Sequence, residues 1–534
     1  MNFLFKKIKD DKLNLVKNKY LVLLSFAILI ILFQTLTYFI TGGNLVFNSN
    51  DSFLYYLNEA KNIYEQKSMH DISKVLINIY LPYIDQTNIG FKDTPKPYHF
   101  PLYSIYISLF FYITKNFFLI GVLSQLLLAL GFLQFLFLIL NNFYNKSVSF
   151  IFCTLFFLIS PMFLLVADVS YELWTGCFIL MIFYFGLFAR NRNDLKYYLL
   201  MFVAINFSVL RVKYFILIPL MIWCYRLLPT KYNEEVKRIS TKNAFLYLIL
   251  LIILPILIQY YCYNILVWHK FSDLLYMHDG LKEYVFPIFS RMAYNLIYIF
   301  SDGFYFYHNR FLVFINLIGL IFFIIHLWDI VKKQKLKRFD VIIIFNYILF
   351  CSITVLYVPD GFRMLLSCAP FVLIMIYRNH HIFKKIFYFN YKKPFIILII
   401  IVFGNFLIKN ITWISSRNEA FLIHNEHNIK INKILNEYNI NKSATNFWLF
   451  KNYLVPMMHI YDNKYFLIYD SIKNYCADYE KNPDNVELMP IIFSNELNDL
   501  VKEEKCLSIL EKYEKFKKYD IEFYLKKDII ISKK

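Results

Sequence analysis

Two acidic sites and two isolated arginines are the parts of this sequence best suited to moving a proton or holding an anion. Asp51 stands in NSNDSFLYYLNEAKNIYEQ, the first polar stretch after a long apolar run near the N-terminus. A carboxylate there can cap a helix by accepting hydrogen bonds from its first free N–H groups, and it can also take a proton from an acceptor hydroxyl. The two roles are compatible. Asp168 and Glu172, in SPMFLLVADVSYELW, are four residues apart and share one helix face at the edge of an apolar run. Carboxylates at membrane depth cost about 2.5–3.5 kcal/mol on insertion scales, which makes them functional candidates, and they cost less in the headgroup zone. Arg211, in INFSVLRVKYFILIPLMIW, and Arg363, in YVPDGFRMLLSCAPFVLIMI, each lie between two apolar runs. A guanidinium so placed either anchors the chain at the interface or grips a phosphate bidentately. Lys96 and His99, in KPYHFPLYSIYISLFFY, precede a run opened by Pro101. They are either interfacial anchors beside Tyr98 and Tyr103 or cations next to a lipid phosphate.

The elements that must position these residues are membrane helices. Of 534 residues, 58% are hydrophobic and 20% aromatic, only 12 are glycine, and the mean hydropathy is +0.46, which is foreign to soluble globular enzymes. Many windows of roughly 18–22 residues are almost free of charge, long enough to cross about 30 Å of hydrocarbon as helices. The runs are continuous and lack the alternation of a lipid-facing strand, so a β-barrel is excluded. The net charge of +19 is dispersed in short Lys/Arg clusters between apolar runs, without the basic surface interleaved with aromatics that nucleic acid requires. Cys153, Cys177, Cys224, Cys262, Cys351 and Cys368 lie in or beside apolar segments, where a thiol behaves as a small hydrophobe. Only Cys476 and Cys506 fall in the polar tail, where an external location would allow a disulfide.

Charge placement predicts the topology. Lys6, Lys7, Lys9, Lys12, Lys17 and Lys19 precede an apolar run over 20–40. This predicts a signal anchor with a cytoplasmic N-terminus, which puts residues 41–100, and Asp51 with them, outside. The basic stretches 226–242, 332–338 and 378–393 are expected inside, separated by apolar segments at 243–267, 311–330, 340–358, 364–378 and 394–413. The loop 268–310, the turn 359–363 and the C-terminal tail then face outward, as does Arg211, while Arg190, Arg192 and Lys196 face inward. Asp168 and Glu172 fall at the outer end of a span over 170–189. Full crossings at 101–117, 118–140 and 148–166 give one crossing too many, so one of them is expected to be short, re-entrant or folded back, with the Ser160–Pro161 break as the expected place. The fold class is an all-α polytopic membrane protein of about 11–13 transmembrane helices. In the first external loop an amphipathic helix opened by Asp51 carries Phe53, Tyr56 or Leu57, Ala60, and Ile63 or Tyr64 on one face, with Asn58, Glu59, Asn62 and Glu65 off it. The division expected is a membrane domain over 1–413, including the loop 41–100, and a soluble α/β domain over 414–534. In that domain EAFLIHNEHNIKINKILNEY has a helical period, and KYFLIYD and DIIIS read as short strands.

In order along residues 20 to 410, NDSFLYYLNEAKNI, HFPLYSIYISLFF, LISPMFLLVADVSYELWTGCFILMIF, NFSVLRVKYFILIPLMIW, LPILIQYYCYNILVWHKFSDL, SDGFYFYHNRFLVFINLIGL and GFRMLLSCAPFVLIM resemble the GT-C superfamily of polyprenyl-phosphate-sugar-dependent glycosyltransferases. The likeness is greatest to the bacterial relatives of the protein O-mannosyltransferases and of the aminoarabinose transferase that modifies lipid A. The resemblance implies sugar transfer, with inversion at the anomeric carbon, from a polyprenyl-phosphate donor to an acceptor hydroxyl of a lipid, glycan or protein outside the bacterial cytoplasmic membrane. It makes Asp51 the base, has Arg211, Arg363 and Lys96 or His99 hold the lipid phosphate, and has Asp168 or Glu172 line the same cavity. No cofactor is implied, and metal dependence stays open because one Asp and a distant Asp/Glu pair fall short of a coordination motif. Other readings have their own marks. A transporter or flippase would show charges near span midpoints and broken helices in matching halves, whereas here the charges sit at span ends with no visible duplication. An O-antigen polymerase or ligase would carry key arginines in a large late external loop, as Arg291 and Arg310 in 268–310 allow. A noncatalytic membrane scaffold would present the external tail.

Overall fold

Long unbroken apolar sequence becomes helix here. The computed structural model describes residues 19–41, 56–66, 102–159, 169, 171–188, 195–209, 217–227, 240–261, 310–333, 340–348, separate positions between 371 and 438, 491–493 and 511–527. Asp51, Lys96, His99, Asp168, Arg211 and Arg363 lie outside them, as do Cys476, Cys506 and the loop 268–309. The chain divides into two units, one of Met1–Leu45, Tyr98–Tyr103 and Asn116–Ser415, the other of Val46–Pro97, Ser104–Lys115 and Ser416–Lys534.

In the first unit, α1 (Lys19–Thr41) buries a stripe of Val22, Phe26, Ile30, Gln34 and Thr37 at helical spacing, while Leu24, Ile28, Leu32 and Phe39 stay exposed as a face for lipid. It packs on two helices. Phe26 stacks on Phe150 at 5.3 Å and meets the edge of Phe137 at 6.3 Å, Phe33 meets Phe157 at 5.7 Å, and the Gln34 amide donates to the Val122 carbonyl at 2.9 Å. Among helices packed in lipid, such close fitting and interhelical hydrogen bonds replace the hydrophobic drive of a soluble core. Three helices among the described residues are long and apolar enough to cross a membrane, over Tyr20–Ile40, Leu119–Leu140 and Thr241–Tyr261.

Among its described residues, the stretch from 101 to 167 contains two short helices. After α2 (Asn58–Gln66) of the other unit comes α3 (Leu102–Phe111), whose 10 residues span about 15 Å, half the hydrocarbon thickness. The chain turns at Tyr112–Thr114, and Asn116 caps α4 (Phe117–Leu140) by accepting from the Leu119 N–H at 3.2 Å. α5 (Lys146–Ile159) ends next to Ser160, and the Ser160–Pro161 break lies outside the described residues. α6 (Tyr171–Phe183) runs on into a π-turn at Tyr184–Phe188, followed by α7 (Leu195–Val209) and α8 (Leu217–Leu227). α9 (Thr241–Leu248) and α10 (Leu254–Tyr261) are joined by a π-turn at Ile249–Ile253. α4 and α6 meet at Gly131, where a Cβ would come within 2.8 Å of the Cys177 sulfur. Gly131→Ala is therefore expected to destabilise the protein by about 1–3 kcal/mol through overpacking. Adding Cys177→Ala should restore most of the loss, as read from the thermal midpoint of detergent-solubilised protein.

Late in this unit, α11 (Arg310–Lys333), the helix over 340–348 and residues 371–379 share a buried polar cluster. His326 Nε2 lies 3.3 Å from Asp340 Oδ1, and the Asn379 amide nitrogen lies 3.1 Å from His326 Nδ1 and donates to the Met375 carbonyl at 2.8 Å. Arg226, the first residue of the basic stretch 226–242, belongs to the last turn of α8 and is buried, its guanidinium 5.9 Å from the Tyr247 ring. A cation in that turn suits the negative end of the helix dipole.

In the second unit, Tyr56 and Leu57 just before α2 and Ala60 within it are buried, Ile63 and Tyr64 are half-buried and Glu65 is exposed, as the predicted face has them. Tyr64 stacks on Phe111 at 5.7 Å and meets Tyr112 edge-on at 4.8 Å. The C-terminal part is α/β. Strands β1 (Ile491–Phe493), β2 (Tyr513–Lys518) and β3 (Ile521–Lys526) form an antiparallel sheet in the order β1-β3-β2. Helical residues between 426 and 437 lead to Tyr438, whose ring lies against Phe516 at 6.1 Å and Phe523 at 5.8 Å. The β2–β3 turn has both central residues, Tyr519 and Asp520, at positive φ, 52° and 63°. Two-residue hairpins need this twist, but side chains other than Gly pay about 1 kcal/mol for it. Glu437 holds the turn by accepting from the Tyr519 hydroxyl and from the Lys518 ammonium at 2.7 Å. The bond to Glu437 raises the lysine above its ordinary range. Lys518 is therefore charged at neutral pH, and its contribution to the pair is lost as pH rises through the ammonium's own titration.

Candidate functional site

The described residues include helix ends that are close in sequence to several candidates. Tyr103 follows His99 by four residues, Trp174 follows Glu172 by two, and Phe207 precedes Arg211 by four. These three aromatics touch. Trp174 stacks on Phe207, with ring centroids 5.1 Å apart and planes 16° from parallel, and lies 5.5 Å from the Tyr103 ring. Phe178, one turn along α6, packs edge-on against Trp174 at 4.7 Å and against Phe207 at 5.0 Å. On the far side, Gln125 in the middle of α4 donates through its amide to the Tyr103 hydroxyl at 2.7 Å. The centre of the cluster is out of solvent, with Trp174 4% exposed, Tyr103 6% and Gln125 0%, while Phe178 and Phe207 are half-buried.

One polar link bears directly on chain direction. The Trp174 indole N–H donates to the Phe207 carbonyl at 2.9 Å. Phe207 is in the last turn of α7, where a carbonyl has no partner inside the helix and must find one elsewhere. The first turn of α3, the middle of α4, the first turn of α6 and the last turn of α7 thus meet at one indole.

Of the sequence candidates, only Glu172 has a described backbone, as the second residue of α6. Asp51 precedes the buried Tyr56 and Leu57 of the other unit. Trp174, Phe207 and Gln125 were not among the candidates. The available signals were Gln125, a polar residue deep in an apolar run, and the pair Trp174 and Phe178 at helical spacing just inside Glu172. Among the described residues there is no group of three or more His, Cys, Asp or Glu side chains that could hold a metal ion.

No family model matches the chain, and comparison with the curated proteins found no match. Among solved structures it is similar to the crystal structure of the Archaeoglobus fulgidus oligosaccharyltransferase in complex with zinc and sulfate. The TM-score is 0.51 at 12% identity, over 95% of this chain and 73% of that one. At such identity the likeness is one of fold, and it agrees with the expected all-α membrane architecture with a small C-terminal α/β domain.

Proposed function

We propose that the chain is an integral-membrane glycosyltransferase that moves a sugar from a polyprenyl-phosphate-linked donor to an acceptor hydroxyl of a lipid, glycan or protein. The observation that carries this reading is the meeting of Tyr103, Trp174 and Phe207, which ties together the helix ends adjoining a candidate cation, a carboxylate and a guanidinium. The fold likeness to an oligosaccharyltransferase supports it. In the step, the acceptor oxygen attacks the anomeric carbon as the carbon–oxygen bond to the lipid phosphate breaks. The hydroxyl proton goes to Asp51, and polyprenyl phosphate leaves with the bonding electrons. Its charge is met by Arg211 and Arg363, with Lys96 or His99 beside them and Asp168 or Glu172 lining the cavity. In this reading the chain lies in the cytoplasmic membrane of a bacterial cell envelope, with its N-terminus inside and the domain over 414–534 outside.

The test is consumption of radiolabelled polyprenyl-phosphate sugars by the purified full chain in lipid nanodiscs, with and without a chelator. Wild type is expected to consume at least one donor of a panel, and loss of activity in chelator would assign a divalent ion to the carboxylates. A chain that neither binds nor consumes any of them removes the enzyme class altogether.

A further inference from the structure

We infer that α3 does not cross the membrane: the chain between α1 and α4 leaves and returns on one face of the bilayer, and α3 seats on the lipid surface there through Leu109, Tyr112 and Ile113. The directions of the first helices carry the first half of this. Along α1, Phe26 meets Phe137 at 6.3 Å and Gln34 reaches the Val122 carbonyl at 2.9 Å, so α4 runs antiparallel to α1. Against α5 the order is the same on both helices, Phe26 on Phe150 at 5.3 Å and Phe33 on Phe157 at 5.7 Å, so α5 runs parallel to α1. α1 and α4 are each long and apolar enough to cross. The end of α1 and the start of α4 therefore share a face, and an even number of crossings separates them.

In that interval a single stretch, 97–114, is free of Asp, Glu, Lys and Arg over the length that a span needs. One candidate and an even count leave no crossing. The helix itself agrees. α3 takes 10 residues, about 15 Å against roughly 30 Å of hydrocarbon. The chain then turns, with the Ile113 and Thr114 N–H groups both donating to the Phe110 carbonyl at 3.0 Å, and Asn116 caps α4. The surplus crossing of the sequence is thus accounted for without the Ser160–Pro161 break.

The second half concerns what covers α3. Ile107, Phe110 and Phe111 are buried, whereas Leu109, Tyr112 and Ile113, at helical spacing, are 58%, 66% and 70% exposed. Lipid is the occupant that their place in the chain selects. The apolar span of α4 opens at Leu119, six residues beyond Ile113, and Leu119 is itself 45% exposed, so the face on α3 continues into the lipid-facing surface of α4's own span. The residue types suit the boundary between headgroups and acyl chains: two aliphatic side chains to bury, the amphipathic ring of Tyr112, and the exposed Lys115 to reach a phosphate. α2 rests on the same seat through Tyr64, which packs on Phe111 and Tyr112.

Two measurements on the full chain test this, both in sealed right-side-out and inverted membrane vesicles from expressing cells. In the first, Thr41→Cys, Lys115→Cys and Asn142→Cys are treated with a membrane-impermeant maleimide and scored as mass added beyond wild type. Positions 41 and 115 are expected to label from one face and position 142 from the other. Labelling of 115 from the face of 142 means that α3 crosses, and overturns the inference. In the second, p-benzoylphenylalanine replaces Ile113, or Leu109 in a second variant, and the photoproducts are weighed. Adducts heavier by one lipid are expected at both positions, and if one variant does not fold the other decides. Absence of lipid adducts overturns the seat, and a crosslink to a second copy or to another protein in their place assigns the face to that partner. Neither readout involves a sugar, so the inference stands or falls apart from the transfer reading.

Discussion

Asp51→Asn is expected to abolish sugar transfer, lowering kcat by a factor of roughly 10²–10⁴, while the protein remains folded in the membrane. The substitution is chosen because Asn is as good a helix N-cap as Asp, so the capping role that the sequence allows for residue 51 would survive it and only basicity is removed. The helix that follows does not depend on residue 51 for its seat. Tyr56, Leu57 and Ala60 are buried, and Tyr64 packs on Phe111 and Tyr112. Asp51→Ala, by contrast, removes the base and, if the carboxylate caps a helix, the cap as well, which would add about 1 kcal/mol of destabilisation to the same loss of rate. Initial rates with radiolabelled donor, and thermal midpoints of the same preparations, separate the two effects. Near-wild-type turnover in Asp51→Asn would show that the base lies elsewhere, and Glu172→Gln and Asp168→Asn would be the next substitutions to make. Activity lost in Ala but kept in Asn would mean that the residue is a cap and nothing more.

What could be read from the sequence follows from where the information sits. α1 was legible to within a residue because an apolar run bounded by Lys19 has one outcome in a membrane. The buried face of α2 was legible because its period is written in adjacent turns. α3 was expected as a crossing over 101–117 and stops at Phe111, because the chain turns at Tyr112–Thr114 and Asn116 starts the next helix by capping it. That cap was visible in the sequence, but apolar content outweighed it. The α/β class of the C-terminal part was readable, its strands less so. The expected strands over 464–470 and 528–532 lie outside the described residues, and the strand YEKFKK reads as a solvated charged stretch. Its turn lacks the Asn-Gly signal and relies on Glu437, 81 residues upstream of Lys518. The aromatic hub has the same character. In a chain that is 20% aromatic no single Trp stands out, and the partners of Trp174 and Tyr103 come from 33 and 22 residues away. Local pattern gives helices and faces, whereas a site assembled from helix ends depends on separations that the pattern does not encode.

Arg211→Ala and Arg363→Ala are each expected to lower kcat for the donor by about 10²–10³, the loss typical of removing one preorganised donor from a developing oxyanion. The argument turns on the leaving group. As the glycosidic bond stretches, negative charge gathers on the bridging oxygen of the lipid phosphate, so a guanidinium that grips it is worth more in the transition state than in the bound donor. This predicts a fall in kcat and kcat/KM together, whereas an arginine serving only as an interfacial anchor would leave both unchanged, and one that merely binds donor would raise KM alone. Lysine in either position retains the charge but not the planar fork, so Arg211→Lys and Arg363→Lys should recover part of the rate and not all of it. If the two arginines grip the same phosphate, the double alanine variant should be less impaired than the product of the single effects, because each single change already releases the group the other was holding. Full multiplicativity would place them on separate anions. Wild-type kinetics in both single variants would instead take the phosphate away from these residues, and the next arginines to test would be Arg291 and Arg310, the pair on which a polymerase or ligase reading would depend.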